Sequence, residues 1–170
     1  MKVAILCGGQ GTRIRDVASD IPKPMIPVGQ YPILWHIMNN YASWGHKDFV
    51  LCLGYLGYKI KEFFINLDYY NQDFTMSLGA DKKVTYQGGT KAPLNWSITF
   101  ADTGKNTMTG ARVKRIFKYM ENEENFMLTY GDGVSDLDMD ALIDFHKNHG
   151  KVMTVTGVFP PARFGEIMFD

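Results

Sequence analysis

Residues 8–13 combine three glycines with side chains suited to binding phosphate, directly after a short apolar run. Glycines allow tight turns and leave backbone N–H groups accessible, so a phosphate chain can approach closely. Thr12 adds a hydroxyl, and Arg13 adds a planar cation that matches phosphate oxygens. Lys23 is flanked by two prolines, so it loses less entropy on binding. The pattern predicts a phosphate site. The alternative is a structural glycine turn with solvated Arg13 and Lys23.

Two well-known phosphate motifs do not fit this segment. The dinucleotide fingerprint requires a third glycine after Gly9-x-Gly11, where the chain has Ile14. The phosphate loop of many nucleotide hydrolases and kinases requires Gly-Lys followed by Ser or Thr, and that sequence does not occur. NAD-dependent dehydrogenases and kinases of this type are therefore both disfavoured.

A second candidate site is Asp132, which lies between Gly131 and Gly133 at the end of an apolar run. A carboxylate at the carboxyl end of a strand offers a hard oxygen ligand to a bound group. Mg²⁺ suits such a position, because it takes few protein carboxylates and several phosphate oxygens. The alternative for Asp132 is an Asx turn.

Three further acids follow at alternate positions, namely Asp136, Asp138 and Asp140. A calcium loop of the EF-hand type starting at Asp136 would need glycine and glutamate where the chain has Ala141 and Lys147. The acids are therefore interpreted as caps that complement the N-terminal dipole of the following helix.

Apolar periodicity predicts strands alternating with helices, which is typical of a layered α/β domain with a mainly parallel sheet. The predicted strands are residues 3–7, 48–53, 74–78, 84–87, 95–101, 126–130 and 152–158. Helices are predicted from Pro32 to a Gly45 cap, over 58–67, after residue 110, and over 138–149 with a Gly150 cap. Ligands of parallel sheets bind beyond the carboxyl ends of the strands. The loops after Cys7, Asp102 and Tyr130 are therefore the places where a site is expected.

Composition narrows the possible partners and compartment. Lys+Arg and Asp+Glu are balanced at 18 each over 170 residues, so no overall basic field favours nucleic acid or an anionic membrane. The two cysteines cannot form a secreted-type disulfide framework. Neither a signal peptide nor a long apolar span is recognisable. We therefore expect a cytoplasmic protein, with neither a membrane nor nucleic acid as a partner.

Taken together, the motifs resemble those of the sugar-1-phosphate nucleotidyltransferases, in particular their cytidylyl branch. The matching segments are residues 6–13, 22–25, 32–38, 102–104, 108–112, 130–133 and 159–165. The resemblance covers nearly the whole chain and is weakest over residues 68–93. It implies a three-layer, Rossmann-like, mainly parallel sheet, the nucleotide-diphospho-sugar transferase fold. Members of this family are longer, so residues 1–170 are expected to form the nucleotide-binding part of one domain, with the sheet incomplete at the C-terminus.

The resemblance also implies an enzyme that makes CDP-glucose and pyrophosphate from CTP and glucose 1-phosphate, using Mg²⁺, and that is a homo-oligomer when full length. The expected catalytic residues are Arg13, Lys23 and Asp132, with Asp132 holding the metal. The expected nucleotide-binding residues are Leu6, Cys7, Gly8, Gly9, Gln10, Gly11, Thr12, Arg13, Lys23, Thr107, Arg112 and Gly131. A UTP- or dTTP-using relative and a non-catalytic nucleotide-binding fragment remain the alternatives.

Overall fold

The computed structural model describes residues 1–9, 20–87 and 94–158 and divides into two compact units, Met1–Asp136 and Leu137–Asp170. The first unit contains eight strands among its described residues: β1 Val3–Leu6, β2 Pro27–Val28, β3 Tyr31–Pro32, β4 Asp48–Leu53, β5 Asp73–Ser77, β6 Lys83–Gln87, β7 Ser97–Asp102 and β8 Met127–Tyr130. Its helices are α1 Ile33–Ser43, α2 Gly57–Ile65, α3 Leu67–Asn71 and α4 Thr109–Ile116, with 3-10 turns at Lys23–Met25 and Phe117–Tyr119. The described helix of the second unit is α5 Met139–His149.

Four parallel strands form the central sheet in the order β7-β4-β1-β8. Leu6 of β1 pairs with Cys52 on one side and with Tyr130 on the other, and Leu53 pairs with Asp102. The carboxyl ends of all four strands therefore lie along one edge of the sheet. The loops that follow them are brought together there, as the sequence predicts.

The two inner strands are buried on both faces, because helices cover the sheet on either side. Ala4 and Val50 belong to a core cluster with Ile116 of α4 and Met120 on one face. On the opposite face, Tyr41 of α1 hydrogen-bonds to the side chain of Thr129, which pairs with Ile5 in the sheet. This arrangement confirms the predicted layered α/β fold and explains the nearly continuous apolar runs of β1 and β4.

Two predictions for local structure are confirmed outside the central sheet. The strands predicted at residues 74–78 and 84–87 are present as β5 and β6, which pair as an antiparallel hairpin. In the second unit, the Asp138 carboxylate accepts a hydrogen bond from the Ala141 N–H at 2.9 Å, and Gly150 ends α5 with φ of +62°. Asp138 therefore acts as the helix cap that its position predicts.

The strand predicted at residues 152–158 is wrong. No part of this segment, all of which the structure describes, lies in a strand, and the side chains of Val152, Met153, Val155 and Val158 are largely exposed. An apolar, β-branched sequence favours an extended backbone, but a strand exists only where a neighbouring strand satisfies its N–H and C=O groups.

In the described parts of the chain, no helix is long and apolar enough to span a membrane.

Candidate functional site

The strand order reverses between β1 and β8. From β1 the chain adds β4 and then β7 on one side, and β8 returns to pair on the other side of β1. Parallel α/β sheets bind ligands beyond the carboxyl ends of their strands, at the point where the order reverses. Here that point lies between residues 7–9, which follow β1, and residues 131–133, which follow β8 and include Asp132.

Gly131 brings the ends of β1 and β8 into direct contact. Its N–H donates a hydrogen bond to the Leu6 carbonyl at 3.1 Å. A Cβ atom at this position would lie 3.0 Å from the Pro24 side chain, 3.1 Å from Cys7 Sγ and 3.2 Å from the Leu6 carbonyl. Glycine therefore lets the ends of the two strands approach closely, whereas a larger residue would push them apart.

Lys23 and Asp132, two of the predicted catalytic residues, form an ion pair beside this contact. Lys23 Nζ donates to Asp132 Oδ2, although the two residues are 109 positions apart in sequence. The Lys23 side chain is 37% exposed and that of Asp132 is 33% exposed, so a ligand can reach both. Lys23 begins a 3-10 turn after the extended Pro22, and the next residue, Pro24, is buried. The lysine is thus held on a rigid backbone, as its proline neighbours predict.

The donors present fit a magnesium ion that is shared with a phosphate ligand. Among residues 1–9, 20–87 and 94–158, no group of three or more His, Cys, Asp or Glu side chains is placed to hold a metal by itself. Asp132 offers a single accessible carboxylate. Mg²⁺ typically takes one or two carboxylates and completes its shell with water and substrate phosphates.

Arg112 holds three of the loops at this edge together. It is only 5% exposed, and its Nη1 donates to Leu53 O at 3.1 Å, to Thr103 Oγ1 at 2.7 Å and to Gly104 O at 2.8 Å. Its Nη2 donates to Gly8 O at 2.9 Å. These acceptors follow β1, end β4 and follow β7, so a single guanidinium joins the exits of three strands. Its predicted contact with nucleotide stays a prediction, and the structure adds this role in holding the loops.

Protein oxygen atoms compensate the buried charge of Arg112. Burial lowers the pKa of the guanidinium and is the largest effect; the Arg115 charge also lowers it, whereas Cys52, Asp102 and Cys7 act in the opposite direction. The acceptors of Arg112 are carbonyl and hydroxyl oxygens, whose dipoles stabilise the cation without a hydrogen-bonded carboxylate. Arginine remains protonated in such surroundings because its ordinary pKa is very high.

Sequence reasoning did not single out Thr103 and Arg115. Thr103 is 1% exposed and donates its hydroxyl hydrogen to Leu53 O at 2.6 Å while accepting from Arg112. Arg115 Nη1 donates to Thr103 O at 2.6 Å and to Thr107 Oγ1 at 2.7 Å. The spacing of three residues between Arg112 and Arg115 places both on one side of α4, which is the signal that could have indicated a shared role.

The remaining predicted residues fall into two groups. Leu6, Cys7, Gly8 and Gly9 lie at the exit of β1, where the Cys7 N–H donates to the Cys52 carbonyl at 3.1 Å. Gln10, Gly11, Thr12 and Arg13 lie outside the described residues, so their predicted roles stay predictions.

The two cysteine thiols are buried, and we expect them to resist alkylation in the folded protein. Burial raises the pKa of Cys7 well above its usual value and raises that of Cys52 to about 11. Because the thiolate is the reactive form, iodoacetamide at about pH 8, just below the ordinary thiol pKa of about 8.5, should label neither residue. Both should react after unfolding in urea, as measured by intact mass. Labelling of the folded protein at the rate of a free thiol would contradict the expected protection.

The sequence of this chain matches that of a known protein family. The family model for nucleotidyl transferase matches residues 2–170. The glucose-1-phosphate cytidylyltransferase of Salmonella typhimurium (strain LT2) is 47% identical over 167 residues, which cover 98% of this chain and 64% of the relative. The probable glucose-1-phosphate cytidylyltransferase of Bacillus subtilis (strain 168) is 41% identical over 170 residues, covering all of this chain and 65% of that relative.

Solved structures show the same fold. The crystal structure of HddC from Yersinia pseudotuberculosis, complexed with GMP-PN, matches with a TM-score of 0.62 and 27% sequence identity. The match covers 85% of this chain and 53% of that one. The chain therefore spans little more than half of that structure and 64–65% of the length of the two curated relatives. The family match over almost the whole sequence, on a parallel sheet with glycine residues and an aspartate at its switch point, establishes that this chain belongs to the nucleotidyl transferase family.

Proposed function

We propose that this chain provides the nucleotide-binding part of an enzyme that makes CDP-glucose and pyrophosphate from CTP and glucose 1-phosphate. The observation that carries the proposal is the Lys23–Asp132 pair beside the contact of Gly131 with the β1 exit. A cation and a carboxylate meet there at the switch point of the sheet, where a triphosphate and its metal ion require charges of both signs. The identity to two cytidylyltransferases supports the choice of CTP and glucose 1-phosphate.

The proposed reaction is a displacement at the α-phosphorus of CTP. An anionic oxygen of glucose 1-phosphate forms the new P–O bond while the bond from the α-phosphorus to the bridging oxygen breaks, and pyrophosphate leaves with that electron pair. Because the attacking oxygen is already anionic, the reaction needs no protein base and no covalent intermediate. The protein contributes position and charge neutralisation.

Each residue of the site has a proposed part in this reaction. Asp132 would hold Mg²⁺, which would supply positive charge to the phosphate oxygens. Lys23, which pairs with Asp132 in the structure, supplies a cation to the phosphates. Arg13 adds a second cation on the phosphates, and the backbone of residues 6–12 follows the nucleotide. Thr107, Arg112 and Gly131 complete the nucleotide site.

Pyrophosphate release measures the proposed activity directly. The chain is incubated with CTP, glucose 1-phosphate and Mg²⁺, and CTP binding is followed in parallel by calorimetry. We expect release that depends on the sugar phosphate and that is fastest with CTP when the four nucleoside triphosphates are compared. Faster turnover with UTP or dTTP would contradict the choice of base. CTP binding without release would show that turnover needs the rest of a longer enzyme, whereas binding of none of the four nucleoside triphosphates would contradict the proposed nucleotide site.

A further inference from the structure

Arg115 fixes the direction of the hydrogen bond at Thr107. Thr107 is half-buried in the loop between β7 and α4, and Arg115 lies in the last turn of α4. The Arg115 guanidinium donates to Thr107 Oγ1 at 2.7 Å. Arginine can only donate hydrogen bonds, so the hydroxyl oxygen is the acceptor in this contact and its own hydrogen is left to be donated elsewhere.

Arg115 makes a second contact with the same loop, which holds its guanidinium in place. The same Nη1 atom also donates to the Thr103 carbonyl at 2.6 Å. Gly104 lies between these two acceptors with φ of +89°, a conformation that favours glycine. A Cβ atom at Gly104 would lie 2.6 Å from Arg115 Nη1 and 2.7 Å from Thr107 Oγ1. The arginine therefore occupies space that glycine at position 104 leaves open.

Arg112 connects the same loop to the end of β1. Its guanidinium donates to Gly104 O at 2.8 Å and to Gly8 O at 2.9 Å. The loop that carries Thr107 is thus tied to Gly8 at the switch point. The two arginines of α4 therefore have different roles. Arg112 sets the position of the loop, and Arg115 sets the orientation of the Thr107 hydroxyl on it.

We infer that Arg115 is a positioning residue of the nucleotide site, which holds the Thr107 hydroxyl as a hydrogen-bond donor to an acceptor oxygen or ring nitrogen of the bound nucleotide. The inference rests on the proposed function, since it requires that this edge of the sheet binds a nucleoside triphosphate. Arg115 acts through Thr107 and makes no contact with the nucleotide itself.

A double-mutant cycle on CTP affinity tests this role. Calorimetry with CTP and Mg²⁺ compares the wild-type chain with Arg115→Met, Thr107→Val and the double variant. We expect each single change to weaken CTP binding about tenfold, as for the loss of one well-placed hydrogen bond. The double variant should bind about as well as Thr107→Val alone, because Arg115 has no hydroxyl left to orient.

Two conservative variants and one charge control sharpen the result. Thr107→Ser keeps the hydroxyl and Arg115→Lys keeps a donor, so we expect near-normal affinity for the first and partial recovery for the second. Lys114→Met removes the same charge from the same turn of α4, where the lysine is exposed, and should leave CTP affinity unchanged. A purely electrostatic role of Arg115 would make Lys114→Met weaken binding in a similar way.

The outcomes separate this inference from the proposed function. If the wild-type chain binds CTP but Arg115→Met binds equally well, or if the effects of Arg115→Met and Thr107→Val add fully in the double variant, the positioning role is overturned and the proposed function stands. If the wild-type chain binds none of the four nucleoside triphosphates, the proposed function fails and the role of Arg115 fails with it.

Discussion

Replacing Asp132 by asparagine should reduce Mg²⁺-dependent turnover at least about a hundredfold, since a metal that stabilises transition-state charge contributes several kcal/mol. The amide keeps the size of the side chain but removes the negative charge that attracts the metal. The folded structure should persist, because the Lys23–Asp132 ion pair is about one-third exposed and exposed pairs contribute only about 0–1 kcal/mol. Pyrophosphate release and thermal unfolding are the two measurements. Mg²⁺-dependent strengthening of CTP binding, followed by calorimetry, gives a third readout that does not require turnover.

Asp138→Asn is the matched control for this change. It makes the same replacement of carboxylate by amide at the acid that caps α5. Asparagine caps helices about as well as aspartate, so stability and turnover should both stay near those of the wild type. An equal loss of turnover in Asp138→Asn and Asp132→Asn would contradict the assignment of Asp132 as the metal-binding carboxylate. It would instead favour the acids at positions 136, 138 and 140 as the metal-binding carboxylates.

Replacing Gly8 by alanine should destabilise the fold by about 2–4 kcal/mol, the range expected when the bonds of a buried charged group are broken. The new methyl group would overlap the guanidinium of Arg112. An arginine in solvent could move aside, but this one is buried and bonded to the exits of three strands. Its displacement would leave the carbonyls of Leu53 and Gly104 without this donor. Urea unfolding measures the loss, and CTP affinity should fall with it because the β1 exit moves.

Gly9→Ala is a control at the adjacent residue. A Cβ atom at Gly9 would meet no atom within 4 Å among the described residues, so this change should leave the unfolding free energy nearly unaltered. Arg112→Met completes the comparison. If the cost of alanine at position 8 comes from the guanidinium, Gly8→Ala should cost little when it is added to Arg112→Met. A full additional loss would show that the backbone of Gly8 itself, rather than its contact with Arg112, requires glycine.

Both sets of variants concern the same edge of the sheet, but one set tests ligand chemistry and the other tests stability. Asp132 and Lys23 are accessible and carry charge toward a ligand, so their changes should affect chemistry more than stability. Gly8 and Arg112 are packed against each other, so their changes should affect stability first. This division follows from burial, because removing one partner of a buried polar contact leaves the other without compensation from water.

The sequence by itself determined most of the central elements and the edge of the sheet at which a site is expected. Residues 3–7 and 48–53 are apolar runs long enough for a buried strand, and strands 1 and 4 of the structure occupy them. The alternation of strands with helices predicts a parallel sheet, whose strands end at a common edge. Lys23 between two prolines and Asp132 between two glycines were recognisable because their local chemistry is unusual. Local patterns determine such features because propensity and burial periodicity act over a few residues.

Only the tertiary structure decided which of these groups meet. The pairing of Lys23 with Asp132 depends on β8 returning beside β1, and the sequence between them does not encode that order in a local pattern. The same is true of Arg112, whose partners belong to the exits of three strands, and of Arg115 at Thr107. Residues 152–158 show that a local pattern can also fail. Their sequence is typical of a strand, but they form none because no neighbouring strand among the described residues pairs with them. Hydrogen bonds between distant segments are set by strand order, and strand order is a property of the folded chain as a whole.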